Sequence, residues 1–251
     1  MNDQATSARI SVCLASYNGE RYLCEQVNSI LRQLAPGDEL LVSDDASTDA
    51  TLSVLESYGD RLRVVGRDRA GGVVKNFERV LAAANGDFIV LSDQDDVWLD
   101  GRLDLVRERL QAVSLLMMNG IVVDGALSPT GQDVLDFVGF RSGVLHTLAH
   151  NGFVGCCMAF RRELLDAALP FPPRILWHDW YIALLGQLLY TVECSEGRTI
   201  LFRRHGANFS ATGRRSPRSL WAKLASRGWM MRALAIAVLR QRRRRAAGDR
   251  R

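Results

Sequence analysis

Between residues 10 and 113 the chain alternates, four times over, a short apolar run with a stretch whose apolar residues recur at helical spacing. The runs at 10–15, 39–43, 61–66 and 88–91 are too short for helices. In the last, Phe88-Ile89-Val90-Leu91 is apolar at every position, as a strand buried on both faces requires. Tyr22, Leu23, Val27, Ile30, Leu31 and Leu34 trace one face of a helix that Pro36-Gly37 ends. Ser47 or Thr48 caps a second helix, and Gly71-Gly72 turns the chain into a third at 73–84. Strands and helices repeated with short loops bury their apolar faces in a parallel sheet covered by helices on both sides. The predicted class is therefore α/β with a mainly parallel sheet.

Right-handed crossovers bring successive strand ends to one edge of such a sheet, and ligands bind in the crevice there. Two of these ends are acidic: Asp44-Asp45, and Asp93 with Asp95-Asp96. Close-packed carboxylates raise one another's pKa unless a cation lies among them. Oxygen-only ligands suit Mg²⁺ or Mn²⁺, which carboxylates hold together with substrate phosphates. The competing reading is a solvated acidic turn capping the next helix, but two such turns need not fall on the same edge.

The second half is less regular. A helix is predicted over 99–113, a strand over 115–124 with a kink at Asn119-Gly120, and a long functional loop over 126–143. Short helices follow at 144–150 and 163–168, with strands at 155–161 and 199–203. Trp177-His178-Asp179-Trp180 opens an apolar helix that runs to 189. An acid there is ordinary helix capping. Between two indoles it is also a desolvated carboxylate with its pKa raised toward that of a general base, and indole faces stack on sugars. His205, closing the last strand, reads as a half-buried histidine or as a neutral-imidazole metal ligand.

At 251 residues the chain has room for one sizeable domain and an appendage. Charge divides it. From Arg203 onward there are fifteen basic residues and one acid, Asp249, and the rest holds 17 basic and 27 acidic. A basic tail on an acidic body points to an anionic partner, a membrane surface or nucleic acid. Leu220, Leu224, Met231, Leu234 and Val238 form an apolar stripe beside Trp221 and Trp229, which suits an anionic membrane surface. The bland alternative is a solvated helix with a disordered arginine end. With no aromatic platform beside the arginines, nucleic acid is not an expected partner. The apolar stretch at 233–239 is far below the ~20 residues needed to span a bilayer. Five cysteines with no Cys-x-x-Cys pair suit a reducing cytosol, and residues 1–8 have no signal-peptide pattern. The expected division is a flexible N-terminus at 1–9, a catalytic domain at 10–210 and a basic amphipathic tail at 211–251.

Six blocks occur in the order seen in family 2 glycosyltransferases: Val12-Cys13-Leu14-Ala15-Ser16-Tyr17-Asn18-Gly19, Val42-Ser43-Asp44-Asp45-Ala46-Ser47-Thr48-Asp49, Ser92-Asp93-Gln94-Asp95-Asp96-Val97-Trp98, Gly155-Cys156-Cys157-Met158-Ala159-Phe160, His178-Asp179-Trp180 and Arg204-His205-Gly206-Ala207-Asn208. The chain resembles that family over roughly residues 10–210, and most of all its bacterial rhamnosyltransferase-like branch. It departs from the pattern at Tyr181, Arg204 and Ala211. The resemblance implies a GT-A fold and transfer of a sugar from a nucleotide donor with inversion, with Mg²⁺ or Mn²⁺ as cofactor. It places Ala15, Tyr17, Asp44 and Asp45 at the nucleotide together with Asp93. It assigns Asp93, Asp95 and His205 to the metal and Asp179 to the general base. The acceptor side takes Asp96, Trp98, Gly155, Cys156, His178 and Trp180. The implied donor is dTDP-rhamnose, and the implied acceptor a hydroxyl of a lipid-linked or cell-surface glycan. The implied location is the cytoplasmic face of the plasma membrane. Two rivals remain. A metal-dependent nucleotidyltransferase would be expected to carry a glycine-rich phosphate loop, where Ser16-Tyr17-Asn18-Gly19 has one glycine. A non-catalytic nucleotide-binding adaptor would not need Asp93, Asp95 and Asp179 intact.

Overall fold

The computed structural model describes residues 8–206 and 219–248. The four apolar runs are strands β1 (Ile10–Ser16), β2 (Glu39–Asp44), β3 (Arg63–Gly66) and β4 (Phe88–Asp93), interleaved with helices α1 (Leu23–Leu31), α2 (Thr51–Glu56) and α3 (Val73–Ala82). They lie parallel in the order β3-β2-β1-β4. Every residue of β4 up to Ser92 is buried, which is why its sequence shows no alternation. Helix α3 packs on β1 and β2 through Phe77, Val80 and Leu81.

After β4 the short strand β5 (Val97–Trp98) and helix α4 (Arg102–Arg109) lead into β6 (Leu115–Val123), β7 (Pro129–Asp133) and helices α5 (Val134–Val138) and α6 (Val144–Ala149). Strand β8 (Met158–Arg161), helices α7 (Arg162–Ala168) and α8 (His178–Leu189), strand β9 (Val192–Arg203) and helix α9 (Leu220–Gly248) complete the chain. The sheet continues β4-β8-β6-β9-β5, with β8 antiparallel to both β4 and β6, and β7 paired to β6. The sheet is therefore mixed and mainly parallel, as expected.

Three local expectations change and a fourth holds. The loop predicted at 126–143 contains β7 and α5, because Pro129-Thr130-Gly131-Gln132-Asp133 has no apolar residue to betray an exposed edge strand. Residues 155–157 form a 3-10 turn and only β8 is extended. Strand β9 starts at Val192, through the half-buried and exposed stretch from Glu193 to Arg198. The kink at Asn119-Gly120 appears as a register shift against β9.

Helix α9 lies against α7 and α8. Its inward face is Met230, Ala233, Leu234 and Ala237, all part of the main core, spaced as one side of a helix. This replaces the single stripe read from sequence. Leu234 is buried, Val238 is half-buried, Leu224 and Met231 are exposed, and the side chain of Leu220 lies outside the described set. Residues 1–7 of the expected flexible N-terminus, residues 207–218 with Asn208 and Ala211, and residues 249–251 also lie outside it. No described helix is long and apolar enough to cross a membrane.

Candidate active site

Strand register assembles the site. At the end of β1, Ala15 is paired with Asp93 on one side and Ser16 with Asp44 on the other, so both acidic strand ends reach one edge. Asp44 is fully buried and accepts hydrogen bonds from the Ser16 hydroxyl at 2.8 Å and from the backbone and hydroxyl of Ser47 at 2.8 and 2.6 Å. The Asp45 carboxylate accepts the backbone N–H groups of Ala70, Gly71 and Gly72. Burial works against its charge, but these bonds outweigh that and hold its pKa below the usual carboxylate range. Asp44 and Asp45, two of the acids assigned to the nucleotide, thus spend their oxygens on the chain itself, closing the crevice wall. Tyr17 is the residue that projects, 54% exposed. Gln94, which the sequence did not single out, clamps that wall: its amide oxygen accepts the Tyr17 N–H at 2.7 Å and its nitrogen donates to the Tyr17 carbonyl at 2.9 Å. A Cβ on Gly19 would stand 2.3 Å from that same amide oxygen, so a side chain there would push the Gln94 amide off Tyr17.

At the end of β4 the carboxylates converge. The oxygens of Asp93 and Asp96 and the sulfur of Cys156 lie within 4.8 Å of one another. Asp96 was expected at the acceptor, but it is buried in this cluster. Its Oδ1 accepts the Arg203 N–H at 2.9 Å and its Oδ2 has no hydrogen-bond partner among the described residues. Burial first, then Asp95 and Asp179, push the Asp93 pKa up. Burial, Asp95 and Asp93 do the same to Asp96. His205 Nε2 stands 2.9 Å from Asp95 Oδ2, across 110 residues of sequence. Unpartnered Asp96 Oδ2 and mutually repelling carboxylates are what a hard divalent cation relieves, so the oxygen donors fit Mg²⁺ or Mn²⁺. Cys156 does not add to that donor set. Its bond with Cys157 and its burial keep the thiol protonated.

Two buried arginines hold this floor. Arg203, with a side chain 3% exposed, donates to the Asp95 and Gly125 carbonyls, pairs with Glu25 and lies over the Tyr22 ring. Replacement by methionine leaves those acceptors unpaired. Urea denaturation of Arg203→Met should show a loss of about 3 kcal/mol; an unchanged midpoint would contradict this role. Arg102 bonds the Cys156 carbonyl and Thr199 and stacks on Trp98 at 4.7 Å. Trp98 is 1% exposed, so it is part of the floor rather than the acceptor surface predicted for it.

Asp179 comes from the first turn of α8. Its Oδ2 accepts the Gly155 N–H at 3.2 Å and its Oδ1 the Trp180 N–H at 2.6 Å. Burial raises its pKa to about 6 against these bonds and one from the Asn151 side chain. A Cβ on Gly155 would be 3.1 Å from His178 Nε2 and 3.7 Å from Asp179 Cβ, so the turn and the helix start are in close contact. His178 is buried and stacked on Phe77 at 3.9 Å, and burial keeps it neutral with a pKa of about 3. Both its ring nitrogens lack hydrogen-bond partners among the described residues. Trp180, predicted to face acceptor sugar, is buried with its indole N–H on the Thr147 carbonyl at 2.7 Å. Asp93, Asp95, Asp96, Gly155, Cys156, His178, Asp179 and His205 are thus brought together, whereas Trp98 and Trp180 pack beneath.

The Glycosyl transferase family 2 profile matches residues 11–169. An uncharacterised glycosyltransferase of Nostoc sp. is 28% identical over 80% of this chain, which spans 66% of that protein's length. The E. coli β-1,3-glucosyltransferase WfgD, named for UDP-Glc and α-D-GlcNAc-diphosphoundecaprenol, is 27% identical over 74% of this chain and 73% of its own. The dTDP-rhamnosyl transferase RfbG of Shigella flexneri is 28% identical over 78% and 75%. Among solved structures, S. aureus TarS with UDP-GlcNAc superposes with a TM-score of 0.66 at 21% identity, covering 92% of this chain and 66% of that one. The Pyrobaculum calidifontis mannosyltransferase PcManGT with GDP-Man and Mn²⁺ gives 0.61 at 17%, covering 95% and 76%. The architecture is that of the GT-A glycosyltransferases. With the profile covering well over half its length, the chain belongs to glycosyl transferase family 2.

Proposed function

We propose that this protein moves a sugar from a nucleotide donor to a hydroxyl of a lipid-linked or cell-surface glycan, with inversion at the anomeric carbon, at the cytoplasmic face of the plasma membrane. The observation that carries the proposal is Asp179. Its carboxylate has a pKa raised to about 6, is bonded to Gly155 and is felt electrostatically by Asp93. In the transfer, Asp179 accepts the proton of the acceptor hydroxyl while that oxygen bonds to the anomeric carbon. The bond from that carbon to the diphosphate oxygen breaks, and its electron pair leaves with the phosphate. No second carboxylic acid is needed for a leaving group that is already a good one. A divalent cation held by Asp93 and Asp95, with His205 beside Asp95, supplies charge neutralisation to the departing diphosphate when bound. Tyr17 offers its exposed ring to the nucleoside, and Ala15, Asp44 and Asp45 form the wall behind it. Gly155, Cys156 and the unpartnered nitrogens of neutral His178 lie on the acceptor side.

The similarity to a dTDP-rhamnosyl transferase makes dTDP-rhamnose the leading donor, and the similarity to WfgD makes a diphosphopolyprenol-linked sugar the leading acceptor. A panel of dTDP-rhamnose, UDP-glucose, UDP-GlcNAc and GDP-mannose with Mn²⁺ tests this. Release of nucleoside diphosphate from one donor, faster with acceptor present, is expected. Release of pyrophosphate instead, or no turnover with any of them, would overturn the reading.

The pH dependence has a definite sign. The base must be ionised, so kcat/KM for the acceptor should fall about tenfold per unit below pH 6 and level off above it. His178, with a pKa of about 3, does not titrate in that window. An acceptor kcat/KM that stays flat from pH 7 down to 5 would remove Asp179 from the role of base.

A further inference from the structure

We propose that helix α9 seats the protein on an anionic lipid surface through the face opposite the one packed on α7 and α8. The proposal rests on the membrane-face reading above and names the surface that meets the bilayer.

The largest exposed apolar side chains among the described residues are concentrated in one element. Trp221, Leu224, Trp229, Met231 and Leu239 of α9 are 82%, 51%, 37%, 53% and 56% exposed. Their bearings separate them from the core. A helix turns about 100° per residue, so Trp221 and Leu239 share one bearing about five turns apart, with Leu224 and Met231 about 60° and 80° to one side of it. Met230, 1% exposed and at the centre of the packed face, points the opposite way from Trp221. The helix is thus apolar on two opposed sides, one buried against the body and the other in water. Trp229 lies at the boundary, with the guanidinium groups of Arg174 and Arg232 4.6 and 5.5 Å from its ring. A merely solvated terminal helix has no need of indole, leucine and methionine along its outer face.

Charge selects the occupant. Residues 220–248 contain eight lysines and arginines and no acid. Two copies meeting through this face would bring like charge against like, whereas an anionic headgroup layer accepts the arginines while its acyl boundary takes the apolar side chains. The inner face fixes how the rest of the molecule stands. Gln241 donates to the Tyr190 hydroxyl at 2.9 Å, just past the end of α8, and Arg244 to the Asp166 carbonyl of α7 at 2.6 Å. Arg227 bonds the Leu148 and Ala149 carbonyls at the end of α6. A bilayer under α9 would therefore hold α8, whose first turn carries Asp179, in one orientation to the lipid.

The test is co-sedimentation of the full chain with phosphatidylcholine vesicles, with and without phosphatidylglycerol, at low and high salt. It compares wild type with a variant carrying Trp221→Ser, Leu224→Ser, Met231→Ser and Leu239→Ser. Wild type should bind the anionic vesicles, weaken with salt, and bind roughly tenfold more tightly than the variant, whose melting temperature is unchanged. Equal binding by wild type and variant, or no preference for the anionic vesicles, would overturn the proposal. So would self-association of wild type, seen by sedimentation velocity and lost in the variant, without vesicle binding. Turnover of a water-soluble acceptor separates the two readings. Absent lipid binding with turnover intact ends only the membrane proposal, and lipid binding without turnover of any donor ends only the catalytic one.

Discussion

Asp179→Asn should lower kcat by about two to four orders of magnitude while leaving affinity for nucleoside diphosphate unchanged. In the proposed transfer this carboxylate takes the acceptor's proton, and its neighbours do not offer a substitute base. His178 is neutral, but it is buried and stacked on Phe77. Cys156 is held protonated, and Asp93 and Asp96 are engaged in the acidic cluster at the end of β4. The same burial that prepares Asp179 as a base costs the folded state. Its pKa of about 6 lies above the unfolded value of roughly 3.9, so between those values the folded protein binds more protons than the unfolded chain. The Asp179 contribution to wild-type stability should therefore fall as pH rises from about 4 to 6 and stay level above, while the raised Asp93 and Asp96 carboxyls add a fall of the same sign. The asparagine variant should lose less stability than wild type over that range, since its amide does not titrate and only Asp93 and Asp96 remain. Melting curves across this range, run beside single-turnover kinetics, check both halves. A variant that keeps its turnover, or that loses as much stability with pH as wild type does, would show that Asp179 is only a helix cap.

Asp95→Asn should weaken Mn²⁺-dependent nucleoside diphosphate binding by about 100-fold and lower activity to a similar degree. Asp95 is the member of the cluster that reaches His205, at 2.9 Å, and its charge raises both Asp93 and Asp96. With the cation bound these charges are satisfied. Without it they repel, so removing one should raise the melting temperature of the metal-free protein. Opposite signs for metal-free stability and for metal-dependent binding are the signature of a cation site. A variant with lower metal-free stability and unchanged nucleotide affinity would make Asp95 a structural partner of His205 instead.

The first half of the fold was legible because β1, β2 and β4 are buried almost throughout and their sequences carry that burial as unbroken apolar runs. The meeting of Asp44 and Asp93 beside β1 followed from crossover handedness alone. Strand β7 has no apolar residue and β5 only two residues, so neither leaves a period to detect. At the site, motif order located the residues but not their directions. Asp96 stands next to Asp95 yet turns inward to Arg203, and Trp98 and Trp180 face the core despite their neighbours. Gln94 had a signal in its place between two site aspartates, whereas Arg203 and Arg102 had none, since their partners are carbonyls set by the tertiary fold. In α9 the inner face was present in the sequence. The small residues Ala233 and Ala237 carry little apolar signal of their own, yet close packing against α8 selects small side chains.

Central to all of this is the proposal that the β4 carboxylates hold a cation that neutralises the donor diphosphate. Calorimetric titration of the wild-type protein with UDP and dTDP, in Mn²⁺ and again in EDTA, measures that directly. Binding of at least one nucleotide that requires Mn²⁺ and vanishes in EDTA is the expected result, and equal affinity in both conditions would contradict it.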